Sequence, residues 1–237
     1  ASRLRSVTMN LVTIAVPGDP DLNAADDTLN NTDNITTQRT VRIDVPLVNN
    51  ATPSHEVGQL LELIDDTGFV MASRILDATD VAAGSYQFTL GNLNDDIYGL
   101  KSRVSSLGNS AGSIGQLNLV VDNRVPGTPG APNMTDATDS GISARDNVTS
   151  TVRPVFKVAI DGVEISGNPL VAGDSILLLG GSSIVETLTL SSSDISAGFV
   201  LLQPNVNLSE GQNSLTAKAR SVAGVSGSDS IALSVLI

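Results

Sequence analysis

The sequence predicts an all-β chain of two tandem β-sandwich domains preceded by an extra N-terminal strand. Three observations predict it. Short apolar runs alternate inward and outward residues and end in Gly, Asp or Asn turns, with no sustained helical period. Similar stretches recur at a near-constant spacing: Asp33-Asn34-Ile35-Thr36 returns 113 residues later as Asp146-Asn147-Val148-Thr149, and Asp80-Val81-Ala82-Ala83-Gly84 returns 114 later as Asp194-Ile195-Ser196-Ala197-Gly198. Finally, 20 of the 25 acidic residues are Asp and 5 are Glu, the balance of a chain rich in turns and poor in helices.

Residues 1–16 read as a strand apolar on both faces, because Met9, Leu11, Thr13 and Ala15 alternate with Val12, Ile14 and Val16. This segment is either the last piece of a preceding module or a strand used in assembly. The first domain spans 17–125. Arg39 to Leu47 points Val41, Ile43 and Val45 inward and Arg42 and Asp44 outward. Val57 to Ile64 and Phe69 to Leu76 flank a turn at Asp65 to Gly68. Ser85 to Leu90, Ile97 to Val104 and Gly115 to Val121 complete the set.

The second domain spans 126–237 and repeats that order. Its strands are Val152 to Ile160, Ser175 to Leu179, Ile184 to Leu190, Leu215 to Arg220 and Ser230 to Leu236. Leu117, Leu119 and Val121 align with Ile231, Leu233 and Val235 at the same spacing of 114. The loops Asn49 to Glu56 and Asp161 to Pro169 are long. With four Phe, two Tyr and no Trp, the cores must be aliphatic.

Composition excludes several functions. A net charge of −12 with 13 Lys and Arg leaves no basic face for nucleic acid. No apolar run is long enough to insert in a membrane as a helix. Cysteine is absent, so neither disulfides nor thiolate sites exist. His55, the only histidine, has no nucleophile motif beside it, and Asp65-Asp66, Asp95-Asp96 and the stretch Asn92 to Asp96 read as turns. The six Asn-x-Ser/Thr triplets are what a chain this rich in Asn, Ser and Thr contains by chance. No enzyme is expected.

The Pro/Gly junctions, Asp139-Ser140-Gly141 with Asp146-Asn147-Val148-Thr149, Ala217-Lys218-Ala219-Arg220 with Ala223-Gly224, and Val120-Val121-Asp122 before Pro126 resemble the bacterial immunoglobulin-like repeats of giant surface adhesins and biofilm-associated proteins. The resemblance spans nearly the whole chain. It departs at Leu29, where the first domain lacks the Gly of the Asp-Thr-Gly step, and at Ser105 and Ser221, where the closing strand usually carries Asp. It implies Ig-like sandwiches, an extracellular or cell-surface location, and calcium at the junctions of some relatives. Candidate ligands are Asp122, Asp136, Asp139 and Asp146 at the middle junction, and Asp26, Asp27 and Asp33, with Asp21, at the first. The alternative for these carboxylates is capping of turns, and Arg124 and Arg145 sit where they could neutralise them without a metal.

The leading functional expectation is a non-catalytic structural or adhesive module whose partners are proteins, namely neighbouring modules or subunits. A second is a self-assembling subunit of a sheath, S-layer or fibre that uses the N-terminal strand. A third is binding of host or surface glycans through the long loops.

Overall fold

The computed structural model describes residues 13–161 and 168–237. The expected N-terminal strand lies outside them except for Thr13 to Val16, as does most of the long loop after Asp161. The chain divides into two compact units after Val121; the sequence reading had set the boundary after Val125.

In unit 1 one sheet has the order β1 (Asp21–Leu22), β3 (Val41–Pro46), β6 (Ser85–Leu90). The other has the order β2 (Ile35–Thr36), β9 (Leu117–Val121), β7 (Asp96–Ser106), β4 (Leu60–Asp65), β5 (Val70–Ile75), with β8 (Asn109–Gly112) also on β7. The pairs are antiparallel except β2 with β9, which run parallel. The alternation read from the sequence is met: Val41, Ile43 and Val45 are buried while Arg42 and Asp44 face outward. They pack on Leu61, Leu63, Leu100, Val104 and Leu119 of the facing sheet.

Unit 2 repeats the plan. One sheet is β10 (Asn133–Met134), β11 (Phe156–Ala159), β14 (Phe199–Leu202). The other is β13 (Ser183–Thr189), β12 (Ser175–Gly180), β15 (Gln212–Arg220), β16 (Ser226–Asp229), with β17 (Leu233–Leu236) also on β15. A parallel bridge from Val148 to Leu236 takes the place of the β2–β9 pair. Phe156, Ile176, Leu178, Leu202 and Leu215 fill the core.

The Asp80 and Asp194 repeats are short helices, which the sequence reading left unassigned. They are α1 (Ala78–Ala83) and α2 (Ser192–Ala197). Asp77 and Ser191 cap the N-termini, and Asp80 and Asp194 return the bond to the cap's own N–H. Gly84 and Gly198 end the helices in the left-handed region, φ 70° and 75°, where a β-carbon is disfavoured.

The strand alignment at the chain's end needs correction. Val148 pairs with Leu236 as Ile35 pairs with Val120, so the last strand is offset by 116 and not 114. Leu119 therefore corresponds to Val235, both buried, whereas Ile231 is 83% exposed. The loop before β17 has absorbed the extra residues, and a two-residue slip leaves the alternation unchanged, so the pattern alone cannot detect it. Several other strands are shorter than expected, two of them by three residues or more at their start. β11 begins at Phe156, and Val57 and Gly58 form a turn ahead of β4.

Candidate functional site: the acidic end of each unit

The repeated Asp-Asn-Ile/Val-Thr element is a staple that fastens the start of each unit to its last strand. Asn34 and Asn147 sit at φ 60° and 58°, a left-handed position that Asn tolerates better than most residues. Asp33 Oδ1 accepts from the N–H of Ile35 (3.2 Å), and Asp146 Oδ1 accepts from that of Val148 (3.1 Å). The threonine is buried in both, 0% exposed at Thr36 and 3% at Thr149. Each hydroxyl donates to a backbone carbonyl at 2.6 Å, Asp26 for Thr36 and Thr138 for Thr149. Each also accepts an N–H, from Gln38 and from Thr151. The backbone then bonds the last strand, Val120 N–H to Asn34 O and Thr149 N–H to Leu236 O, both 2.9 Å.

Two neighbouring acidic positions brace the staple. Asp27 accepts from the N–H groups of Asn34 (3.1 Å) and Ile35 (3.2 Å). Its carboxyl is pushed above the usual range, first by burial and further by the adjacent Asp33. Asp139 is its counterpart and accepts from Asn147 N–H (3.1 Å) through Oδ2 alone. Asp139 is 6% exposed, and its buried Oδ1 has no hydrogen-bond partner. Asn133, Asp136, Asp139, Arg145 and Asn147 line a recess there.

Asp26, one residue earlier, accepts from the Arg42 N–H (2.7 Å) and from its guanidinium, Nε at 2.9 Å and Nη2 at 2.7 Å. The Arg42 hydrogen bonds hold this carboxyl below the usual range against the opposing effect of burial. Thr138 stands there in unit 2, and its hydroxyl takes the matching N–H, from Val155 (3.1 Å).

Asp122 binds Arg124 with both oxygens, at 2.9 Å each, and Arg124 also reaches Asp174 (3.2 Å) and Pro169 O (3.2 Å). Asp174 is 0% exposed and accepts from Val171 N–H (3.0 Å). Burial raises its carboxyl above the usual range despite Arg124. In unit 1 the neutral Gln59 accepts the equivalent N–H, from Glu56 (3.1 Å).

The eight candidate ligands thus scatter into separate tasks, Asp21 being an exposed residue of β1 opposite Asp44. Asp26 and Asp122 are neutralised by arginine. Asp27, Asp33 and Asp146 accept backbone N–H groups. Asp136 is exposed on the rim of the recess. Among the described residues no three Asp, Glu or His side chains converge as a metal cage. The fit to calcium rests on Asp139 Oδ1 and the adjacent Asp136, with Arg145 lining the same recess. Sequence reasoning missed Arg42, Gln59 and Asp174. Arg42 reads as an ordinary outward strand residue, and nothing local marks Asp174 as buried. The available signal was the equivalence of Gln59 and Asp174, 115 apart behind long loops.

No family model and no characterised protein sequence matches this chain. Among solved structures it is similar to the fibronectin(III)-like modules of Clostridium thermocellum CbhA, at 11% identity and TM-score 0.47, covering 84% of this chain and 85% of that one. It is also similar to a biofilm-associated protein BSP domain, at 16% identity and TM-score 0.28, covering 93% of this chain and 29% of that one. A tetra-tandem repeat from the extending region of a large adhesion protein gives 16% identity and TM-score 0.32, covering 92% of this chain and 50% of that one.

Proposed function

We propose that the chain is a non-catalytic, force-bearing module of a bacterial cell-surface or extracellular protein, in which tandem Ig-like units extend or present an adhesive assembly and contact neighbouring modules. The observation that carries this reading is the staple. In each unit a segment near the start pairs parallel with the last strand, through Ile35–Val120 and through Val148–Leu236. Tension applied along the chain loads those hydrogen bonds together, in shear, instead of opening them one by one. The charged side chains around the staple are spent on holding it, which suits a mechanical part better than a reacting one. Pulling the full chain in a single-molecule force experiment should give two unfolding events, one per unit, and Thr36→Val should lower the force of one of them. Unfolding at negligible force would overturn the reading. Concentration-dependent polymers in sedimentation would favour the self-assembling subunit instead.

Calcium is proposed at one place only, the Asp136–Asp139 recess, because Asp139 Oδ1 is buried without a partner. A divalent cation there would satisfy that oxygen and stabilise the folded unit by mass action. Calcium titration should show saturable binding that Asp139→Asn removes. If added calcium leaves the melting temperature unchanged, unit 2 is held by Arg124 and by backbone hydrogen bonds alone.

A further inference from the structure

His55 is 1% exposed. It belongs to the loop 47–59, which returns to itself through the His55 N–H bonded to Val48 O at 2.7 Å. The Val48 N–H in turn donates to His55 Nδ1, also at 2.7 Å. Only an unprotonated nitrogen can accept that bond, so the structure specifies the neutral ring with its hydrogen on Nε2. Nε2 is buried with no hydrogen-bond partner. Among the described residues no charged group shifts the ring. Burial, the largest cause, pushes its pKa below the ordinary histidine value, and the Val48 N–H on Nδ1 favours the same neutral ring, while the backbone of Ala15 offsets this in part. Ala15 and Ile14 are themselves buried, Ile14 within the core of unit 1.

The fold does not require a histidine here. Unit 2 has the same loop end: Val171 N–H to Asp174 matches Glu56 N–H to Gln59, and Gly173 N–H to Leu190 O matches Gly58 N–H to Leu76 O. The residue at the His55 position, 115 further on, is Leu170, buried in the core. One unit fills the site with an inert side chain and the other with the chain's only titratable imidazole.

We propose that His55 is an acid-sensitive latch that makes unit 1, and not unit 2, loosen at mildly acidic pH. Proton uptake at Nδ1 turns the acceptor into a donor facing the Val48 N–H. That bond is lost, a charge is left in the core, and the loop 47–59 and the leg Thr13 to Val16 detach together. The sign follows from the depressed pKa of the folded ring. Stability is full above the unfolded value of about 6.5 and falls as pH drops from there toward the folded value.

Unit 1 carries a private reporter, because the only two tyrosines, Tyr86 and Tyr98, lie in it and the chain has no Trp. In the full chain, tyrosine-detected melting should fall by up to roughly 4–8 °C per pH unit as pH drops below about 6.5. His55→Leu, which copies unit 2, should flatten that dependence. A His55→Leu chain with the wild-type slope would overturn the latch. Should that variant fail to fold, NMR of the single ring in the wild-type chain decides. Loss of Val48 amide protection as the ring protonates supports the latch, and a Val48 amide that stays protected refutes it.

Discussion

The two units solve one local problem with different chemistry. Each must satisfy one backbone N–H beside the staple, that of Arg42 in β3 or of Val155 just before β11. Unit 1 uses Asp26, a carboxylate, which then requires the Arg42 guanidinium as counter-charge. Unit 2 uses the Thr138 hydroxyl opposite Val155 and needs no counter-charge. The same contrast, with the units exchanged, holds at the loop end. There unit 2 uses the buried Asp174 with Arg124 and unit 1 the neutral Gln59. A charged acceptor makes the stronger hydrogen bond, but it ties the strand to a partner elsewhere in the fold and to pH. Each unit therefore carries one charged and one neutral version of two interchangeable parts.

The largest break in this comparison is Asp26→Ala. It strands the Arg42 N–H and leaves its guanidinium without a partner. We expect a loss of about 2–3 kcal/mol from unit 1, discounted because Arg42 is itself 41% exposed, read as an earlier tyrosine-detected urea transition. Asp26→Thr with Arg42→Val, which copies unit 2, should recover most of it. Recovery by neither member alone is the signature of coupling between them. The same pair sets a second acid window. Because the Asp26 pKa is depressed on folding, its contribution is present above about pH 3.9 and lost as pH falls through the lower folded value. On acidification unit 1 should thus weaken at His55 first and at Asp26 later, with Asp27, whose folded pKa is raised, opposing the loss between them.

Thr36→Val and Thr149→Val remove a buried hydroxyl and leave a carbonyl and an N–H unmet. Each should cost about 1–2 kcal/mol in its own unit and nothing in the other. Equal effects on both transitions would mean that the units do not unfold independently. The smallest effect is expected at the left-handed asparagines. Asn34→Ala and Asn147→Ala should each cost about 1 kcal/mol; Asn147→Gly should cost close to nothing, while Asn34→Gly still loses the bond its Oδ1 accepts from the Leu22 N–H.

Much of the fold was legible because it depends on short-range pattern. The period-two alternation of Val41, Ile43 and Val45 names its own buried face, and the Asp80 and Asp194 repeats contain half of a capping box and its terminal glycine. The staple was also visible, as a tetrapeptide that recurs, although its role was not. What escaped was spacing at the end of the chain, where Ile231 took the place of Leu233 in the alignment with Leu117.

The sequence by itself determined that this is a two-unit β-sandwich chain with an aliphatic interior and acidic turns, since alternation, turn residues and repetition are local and survive any arrangement of distant parts. Only the tertiary structure decided what each acidic group does. Asp26 meets Arg42 across 16 residues and Asp174 meets Arg124 across 50, while Asp139 is left with one oxygen unpaired. His55 likewise becomes a buried acceptor only because the loop 47–59 closes around it. The physical reason is that burial and the identity of the nearest partner set the behaviour of a charge, and both are made by chain segments far apart in sequence.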